Sequence, residues 1–433
     1  MWDNLPTEIS TNILHRLPVK TLIKCTILSK SFLSLITSHP FISDHITQHN
    51  NSHLLLRYFT HDKQELYHFD PDDDTFSGFQ TQGLVVPFLN YPEMCFTVAG
   101  CINGVLCLVN DFQIEGTLII LWNPSIRKFV HLPRPILVFD ICGPYQSVCG
   151  FGFDPVSDDY KVVRVVELDN GQKASSEAQV EVYSLKSGCW RVIGGCPCYS
   201  IKHYDSGYTP RFINGSVYWL GTPYAFPNCE TVLLKFDMSS ESFETIQLSG
   251  VLKLSELRFT RNLYLQEIKG VLTLIKSNYK IANKTCSAWI LKEDGVVKSW
   301  TKIFDFDIAK LRPHGRHGRP LAFSFRKNGE VIMVKSGLDG DSREESGVVS
   351  IDPVTQSGTT VRVINADRHL FYLCVGPPSL ITIWRGNFLE IVYYGVLGPN
   401  RHQVFNFFEN LNVIKLSNLC FYSIFKILLG MSA

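Results

Sequence analysis

A strand–turn–strand unit recurs six times along the 433-residue chain, and it restricts the possible folds more than any single motif. The units are ELYHFDPDDDTFSGF (65–79), LIILWNPSIRKFVHLP (118–133), AQVEVYSLKSGCWRVI (178–193), TVLLKFDMSSESFETIQL (231–248), CSAWILKEDGVVKSWTKI (286–303) and GVVSIDPVTQSGTTVRV (347–363). Apolar and polar residues alternate in them with period two, as strands packed against a core require. Aligned on the turn, they start at Asp70, Asn123, Ser184, Asp237, Lys292 and Asp352, in steps of 53 to 61 residues. A second hairpin lies between most of them, turning at Asn103-Gly104, Asn214-Gly215, Lys269-Gly270 and Asn328-Gly329. Asn-Gly favours the two-residue turn that needs positive φ. Two hairpins per repeat make four antiparallel strands, the content of one β-propeller blade. The expected class is mainly β, with a small helical module followed by a β-propeller-like domain of about six blades over residues 50–400. A pair of packed β-sheets is the alternative. Closing a ring hides sheet edges, and 370–375, 380–384 and 388–394 are candidate strands for closing it with the first blade.

Residues 1–45 follow a different period. Leu5-Pro6 opens the block, Thr7 is placed to cap a helix from Glu8, and Ile9, Ile13, Leu14 and Leu17 fall on one face of it. Pro18 stops that helix, since it lacks an amide hydrogen. A second helix from Val19 carries Leu22, Ile23 and Cys25, and Ser29 is placed to cap a third with Phe32, Leu33, Leu35 and Ile36. A short fourth stretch begins at His39. Helices this short bury too little surface to offset chain entropy, so the block needs something to dock on, which makes it a partner-binding module or, alternatively, a helical cap on the β domain.

These residues carry a resemblance. LPTEISTNILHRLPVKTLIKCTILSKSFLSLITSHPFI, with its two Leu-Pro marks, resembles an F-box. GCINGVLCLV, LWNPSIRKFVHLP, GFGFDPVSDDYKVVRV, INGSVYWL and LLKFDMSSESFETIQL resemble the F-box-associated domain of a large plant family. The resemblance implies a substrate-recognition subunit of an SCF (Skp1–cullin–F-box) ubiquitin ligase that is not itself an enzyme. A Skp1-like adaptor, and through it a cullin-RING ligase, would be its partner, and a protein of unknown identity its target. Carried onto this chain, the adaptor-facing residues would be Leu5, Pro6, Ile9, Ile13, Leu14, Leu17, Pro18, Leu22, Cys25 and Phe32. Plant members usually have Trp where this chain has Phe32, which keeps an aromatic anchor but loses area and the indole donor. A propeller scaffold with weak or no ligase recruitment is the rival reading, and a propeller enzyme is a third.

Composition and motifs narrow the rest. The formal net charge is +1, so no nucleic-acid partner is expected. The 13 cysteines include no CxxC pair, and Cys196-Pro197-Cys198 near His203 has no second pair to complete a zinc site. No metal, cofactor or catalytic residue is expected, since GxSxG, HExxH and the kinase set are all missing. The glycines of GFGFDPVSDDYKVVRV invite a phosphate-loop reading, but strand alternation follows instead of a helix, and Asp154, Asp158 and Asp159 read as a solvated turn. The apolar tail 401–433 carries Lys415 and Lys426, and a packed or loosely docked helix, or a poorly ordered tail, is expected there rather than a membrane anchor. No secretory signal is read at the start, so the cytoplasm or nucleus is expected. Two segments interrupt the strand pattern and are candidates for target binding, with a solvated loop as the alternative for the first and core packing for the second. LRPHGRHGRP (311–320) carries Arg312, Arg316 and Arg319, and WLGTPYAFPNCE (219–230) carries Tyr224 and Phe226.

Overall fold

A computed structural model describes residues 6–376 apart from several stretches, the longest being 73–83, 86–95, 169–177, 252–262 and 308–321. Four helices come first: α1 (Thr7–His15), α2 (Val19–Cys25), α3 (Lys30–Ile36) and α4 (His39–Gln48). Thr7 is the first residue of α1 rather than its cap; Pro6 takes that place and no side chain caps the helix. Pro18 stands at the cap of α2. Ser29 caps α3 as expected, its Oγ accepting the Phe32 amide at 3.0 Å. The fourth helix has ten residues and carries the module past residue 45. It is tied back to α1, where His15 stacks on Phe41 at 4.2 Å and His45 Nε2 donates to the Leu17 carbonyl at 3.1 Å.

Among the described residues, the strands form six sheets. The first combines Tyr372–Gly376 with His53–Phe59, Glu65–Pro71 and Leu84–Val85. The second runs Thr97–Ile102, Val105–Phe112, Gly116–Asn123, Lys128–His131, and the third Tyr145–Asp154, Asp159–Leu168, Ala178–Ser184, Cys189–Ile193. In the fourth, Tyr199–Ile201 and Arg211–Ile213 both pair with Ser216–Pro223, followed by Val232–Asp237 and Ser242–Gln247. The fifth is Leu263–Ile268, Val271–Asn278, Thr285–Asp294, Val297–Asp307, and the sixth Ala322–Phe325, Val331–Ser336, Glu345–Ile351, Gly358–Asn365. The first strand of each sheet borders that of the next, and Tyr372–Gly376 borders both Ala322–Phe325 and Thr97–Ile102. That closes a ring, which makes the body a β-propeller. Of the candidate closing strands, 372–376 pairs with His53–Phe59; the other two lie outside the described residues.

The Asn-Gly turns adopt the backbone their chemistry favours. Asn103 and Gly104 have φ of 49° and 74°, and Asn214 and Gly215 of 48° and 78°. Two expected turn starts are corrected. Asp70 and Lys292 lie inside strands, because those strands run on to Pro71 and Asp294. The third sheet has no Asn-Gly turn; its first hairpin bends at Asp154-Pro155, where Pro155, Val156 and Asp158 are exposed as expected, but the carboxylates at its two ends are not. Asp154 and Asp159 are both buried. The preceding glycines do not cradle phosphate. A Cβ on Gly150 would strike the Trp219 ring and Val217, and one on Gly152 would strike Met238, so these glycines let the fourth sheet approach the third.

The middle strands of the third sheet, Asp159–Leu168 and Ala178–Ser184, are covered on both sides, whereas the outer strand Cys189–Ile193 leaves Cys189, Arg191 and Val192 exposed. Val162 and Tyr183 face a core shared with the second sheet, whereas Val163, Val165 and Val182 face the fourth. Neighbouring sheets are also stapled by indole donors. Trp190 Nε1 donates to the Pro133 carbonyl at 2.8 Å and Trp300 Nε1 to the Gln247 carbonyl at 3.1 Å. Inside the third sheet, Arg164 and Glu181 form a fully buried ion pair at 2.6 Å. Glu181 also accepts the amides of Ile136 and Leu137 at 2.8 and 3.1 Å, which holds the connection from the second sheet.

Candidate docking surface on the helical module

The module's own core is Leu14, Val19, Leu22, Ile36 and Phe41. Half-buried Leu17, Ile23, Cys25, Phe32, Leu35 and Ile42 pack around it. Two of the sequence-derived candidates, Leu14 and Leu22, are therefore inside: Leu22 is 0% exposed and supports the surface from below. Pro6, Ile9, Ile13 and Pro18 are exposed, Leu17, Cys25 and Phe32 are partly so, and Leu5 lies outside the described residues. Burial pushes the Cys25 thiol up, so it stays a neutral apolar contact at pH 7.

Sequence periodicity overlooked part of this surface. Ile27, Leu28 and Leu33 are exposed, Leu28 at 56%, although they sit in or beside apolar runs. Ile9 and Ile13 lie one turn apart on α1 and share a face. Of the eleven exposed large apolar residues found among the described residues, five belong to this module of about forty residues. The other six are scattered singly over the propeller. An apolar set this concentrated on a small helical unit marks a binding surface.

The propeller candidates stand differently. Arg312, Arg316, Arg319, Tyr224 and Phe226 all lie outside the described residues. The strands flanking them are described. Gly221 pairs with Val232, and Thr285 with Asp307, each at the end of its sheet away from the turns at Asn214-Gly215 and Gly270. The turn ends of successive sheets meet one another. Asn103 Nδ2 donates to Tyr160 Oη at 3.0 Å, Ser239 Oγ to Asp154 at 2.6 Å, and Arg326 Nε to Asp72 at 2.8 Å. At the same end Lys161 Nζ donates to Asp154 at 2.7 Å, to the Met238 carbonyl at 2.8 Å and to Glu241 at 2.9 Å. Burial alone would raise the Asp154 carboxyl, yet hydrogen bonds from Lys161, Ser157, Ser239 and the Val156 amide hold it well below the usual carboxylate range. These hydrogen bonds run between the third and fourth sheets, so the cluster ties sheet to sheet. Cys196, Cys198 and His203 lie outside the described residues, and among the described ones no group of three or more His, Cys, Asp or Glu is placed to hold a metal ion. No described helix is long and apolar enough to cross a membrane. The tail 401–433 is not described.

The two regions match two known domains. Residues 2–44 match the family described as F-box domain, and 53–374 the family described as F-box associated beta propeller domain. This chain belongs to the F-box family. Among relatives of this F-box protein, CPR1 of Arabidopsis thaliana, an F-box protein, is 28% identical over 357 residues, covering 77% of this chain and 80% of that one. An F-box/kelch-repeat protein of the same plant is 27% identical over 314 residues, covering 69% and 79%. Among solved structures, TolB from Acinetobacter baumannii resembles it with a TM-score of 0.42 and 9% identity, over 78% of this chain and 70% of that one.

Proposed function

We propose that this F-box protein is the substrate-recognition subunit of an SCF-type ubiquitin ligase, working in the cytoplasm or nucleus. The helical module docks a Skp1-like adaptor, and the propeller, whose six sheets we read as six blades, holds a protein target. The observation that carries the reading is the exposed apolar set Ile9, Ile13, Ile27, Leu28 and Leu33 on a module that otherwise has a closed core. The receptor performs no bond chemistry. It raises the effective concentration of a target lysine near a charged ubiquitin carrier. The strand ends flanking 224–230 and 308–321 support target binding at the end of the propeller opposite its Asn-Gly turns, with Arg312, Arg316, Arg319, Tyr224 and Phe226 as contacts.

The test is binding of the purified full chain to a purified Skp1-type adaptor. Wild type binds, whereas Leu28→Asp and Ile9→Asp weaken binding about tenfold or more, roughly 1.4 kcal/mol each, with unchanged thermal midpoints. A folded wild-type chain that fails to bind the adaptor overturns the reading and leaves a propeller binding scaffold in its place.

A further inference from the structure

We infer that the turn between Asn123 and Lys128 in the second sheet is the seat that holds the helical module at one fixed angle to the propeller. Ile126, at the tip of that turn, packs against the module's core of Leu14, Val19, Leu22, Ile36 and Phe41. Propeller and module thus share a side chain in one apolar cluster.

The sister turns show why Ile126 is there. Each begins with a side chain that accepts nearby backbone amides. Asn123 Oδ1 accepts Ser125 at 3.0 Å, Ser184 Oγ accepts Ser187 at 3.1 Å, and Asp237 Oδ1 accepts Ser239 and Ser240 at 3.0 and 2.8 Å. Asp352 Oδ1 accepts Val354 and Thr355 at 2.8 and 3.3 Å. The fifth residue has positive φ in three of them: Arg127 at 54°, Gly188 at 70° and Glu241 at 53°. Backbones this alike let the fourth residue be compared directly. It is Ser187, Ser240 and Thr355 in three turns, all exposed, and Ile126 in the second sheet. The sheet itself makes no use of an apolar residue there, since its sisters give the position to water. What Ile126 contacts is the helical module.

The seat completes a two-point attachment. Only residues 49–52 separate α4 from the first strand, so the covalent link is short. A link alone leaves a hinge, because domains move relative to each other unless an apolar contact locks them. The buried Asn123 and Pro124 anchor the turn from below. The functional consequence rests on the receptor reading above: a fixed angle sets the distance between adaptor and target. The seat itself can be tested without any adaptor.

The experiment uses the full chain with two spin labels, attached through non-natural amino acids at exposed Lys20 and Val354. Ile126→Ser copies the residue of the sister turns and so leaves the turn chemistry intact. Wild type and Ile126→Leu give one narrow distance distribution, and Ile126→Ser widens it about twofold or more while the helical signal and the propeller's thermal midpoint stay put. An unchanged width in Ile126→Ser overturns the seat. Loss of the helical signal in that variant overturns it too, because a positioning contact leaves the module folded. Adaptor affinity of Ile126→Ser stays within about threefold of wild type. A wild type that shows the narrow distance but binds no adaptor would sink the receptor reading and leave the seat standing.

Discussion

The helical module and the propeller solve the same problem in opposite ways. The propeller's middle strands are covered on both sides by neighbouring sheets, and its exposed apolar residues, such as Val156 and Val354 at turn tips, stand singly. The module keeps five large apolar side chains in water, three on its short helices and two, Ile27 and Leu28, in the connection between α2 and α3. A ring supplies every sheet with a neighbour. A helical unit of some forty residues has apolar surface left over, and that leftover is the docking surface proposed for the adaptor.

Substitutions can break or sharpen that contrast. The largest effect belongs to the propeller interior. Glu181→Ala strands Arg164 without its counter-charge and releases the Ile136 and Leu137 amides, which costs about 3–5 kcal/mol in denaturant unfolding. Within the module, Leu22→Ala opens a cavity and costs about 2–5 kcal/mol, whereas Leu28→Ala leaves stability within about 0.5 kcal/mol. Equal losses at the two positions would mean that Leu28 is core and that the exposed surface is illusory. Gly150→Ala drives a methyl into the rigid Trp219 ring and costs about 1–3 kcal/mol; Gly152→Ala meets the flexible Met238 and costs less, which thermal midpoints would resolve.

Acid produces a smaller effect. The folded Asp154 carboxyl titrates below its unfolded value, so its contribution is present above about pH 4 and is lost as pH falls toward the folded pKa. Asp154→Asn removes that share, roughly 1 kcal/mol, and flattens the acid limb of the stability profile; an unchanged limb would show that the Lys161 cluster does not join the sheets. The least perturbing probe is thiol labelling. Exposed Cys189 reacts in the native chain, while Cys107, Cys149 and Cys286 react only after unfolding. Burial, with Cys149 beside it, pushes the Cys107 thiol well up and keeps it protonated. Native labelling of Cys107 would mean that the second and third sheets open locally.

The sequence by itself determined what depends on near neighbours in the chain. The period-two alternation, the positive φ of Asn103-Gly104 and Asn214-Gly215, the Ser29 cap and the F-box resemblance were all legible, because local backbone preferences and short motifs carry them. The turn at Asp154-Pro155 was legible, but the burial of the Asp154 carboxylate was not, because one of its partners, Ser239, lies more than eighty positions away. Only the tertiary structure decided which apolar residues of the helical module are core and which are surface. Helical spacing puts Leu14 and Ile13 in one stripe, yet α4 and its neighbours cover the first and not the second. The role of Ile126 was half written in the sequence, as an apolar residue at the position that three sister turns fill with Ser187, Ser240 and Thr355. What it packs against lies about a hundred residues earlier in the chain, and burial is settled by such distant contacts rather than by local pattern.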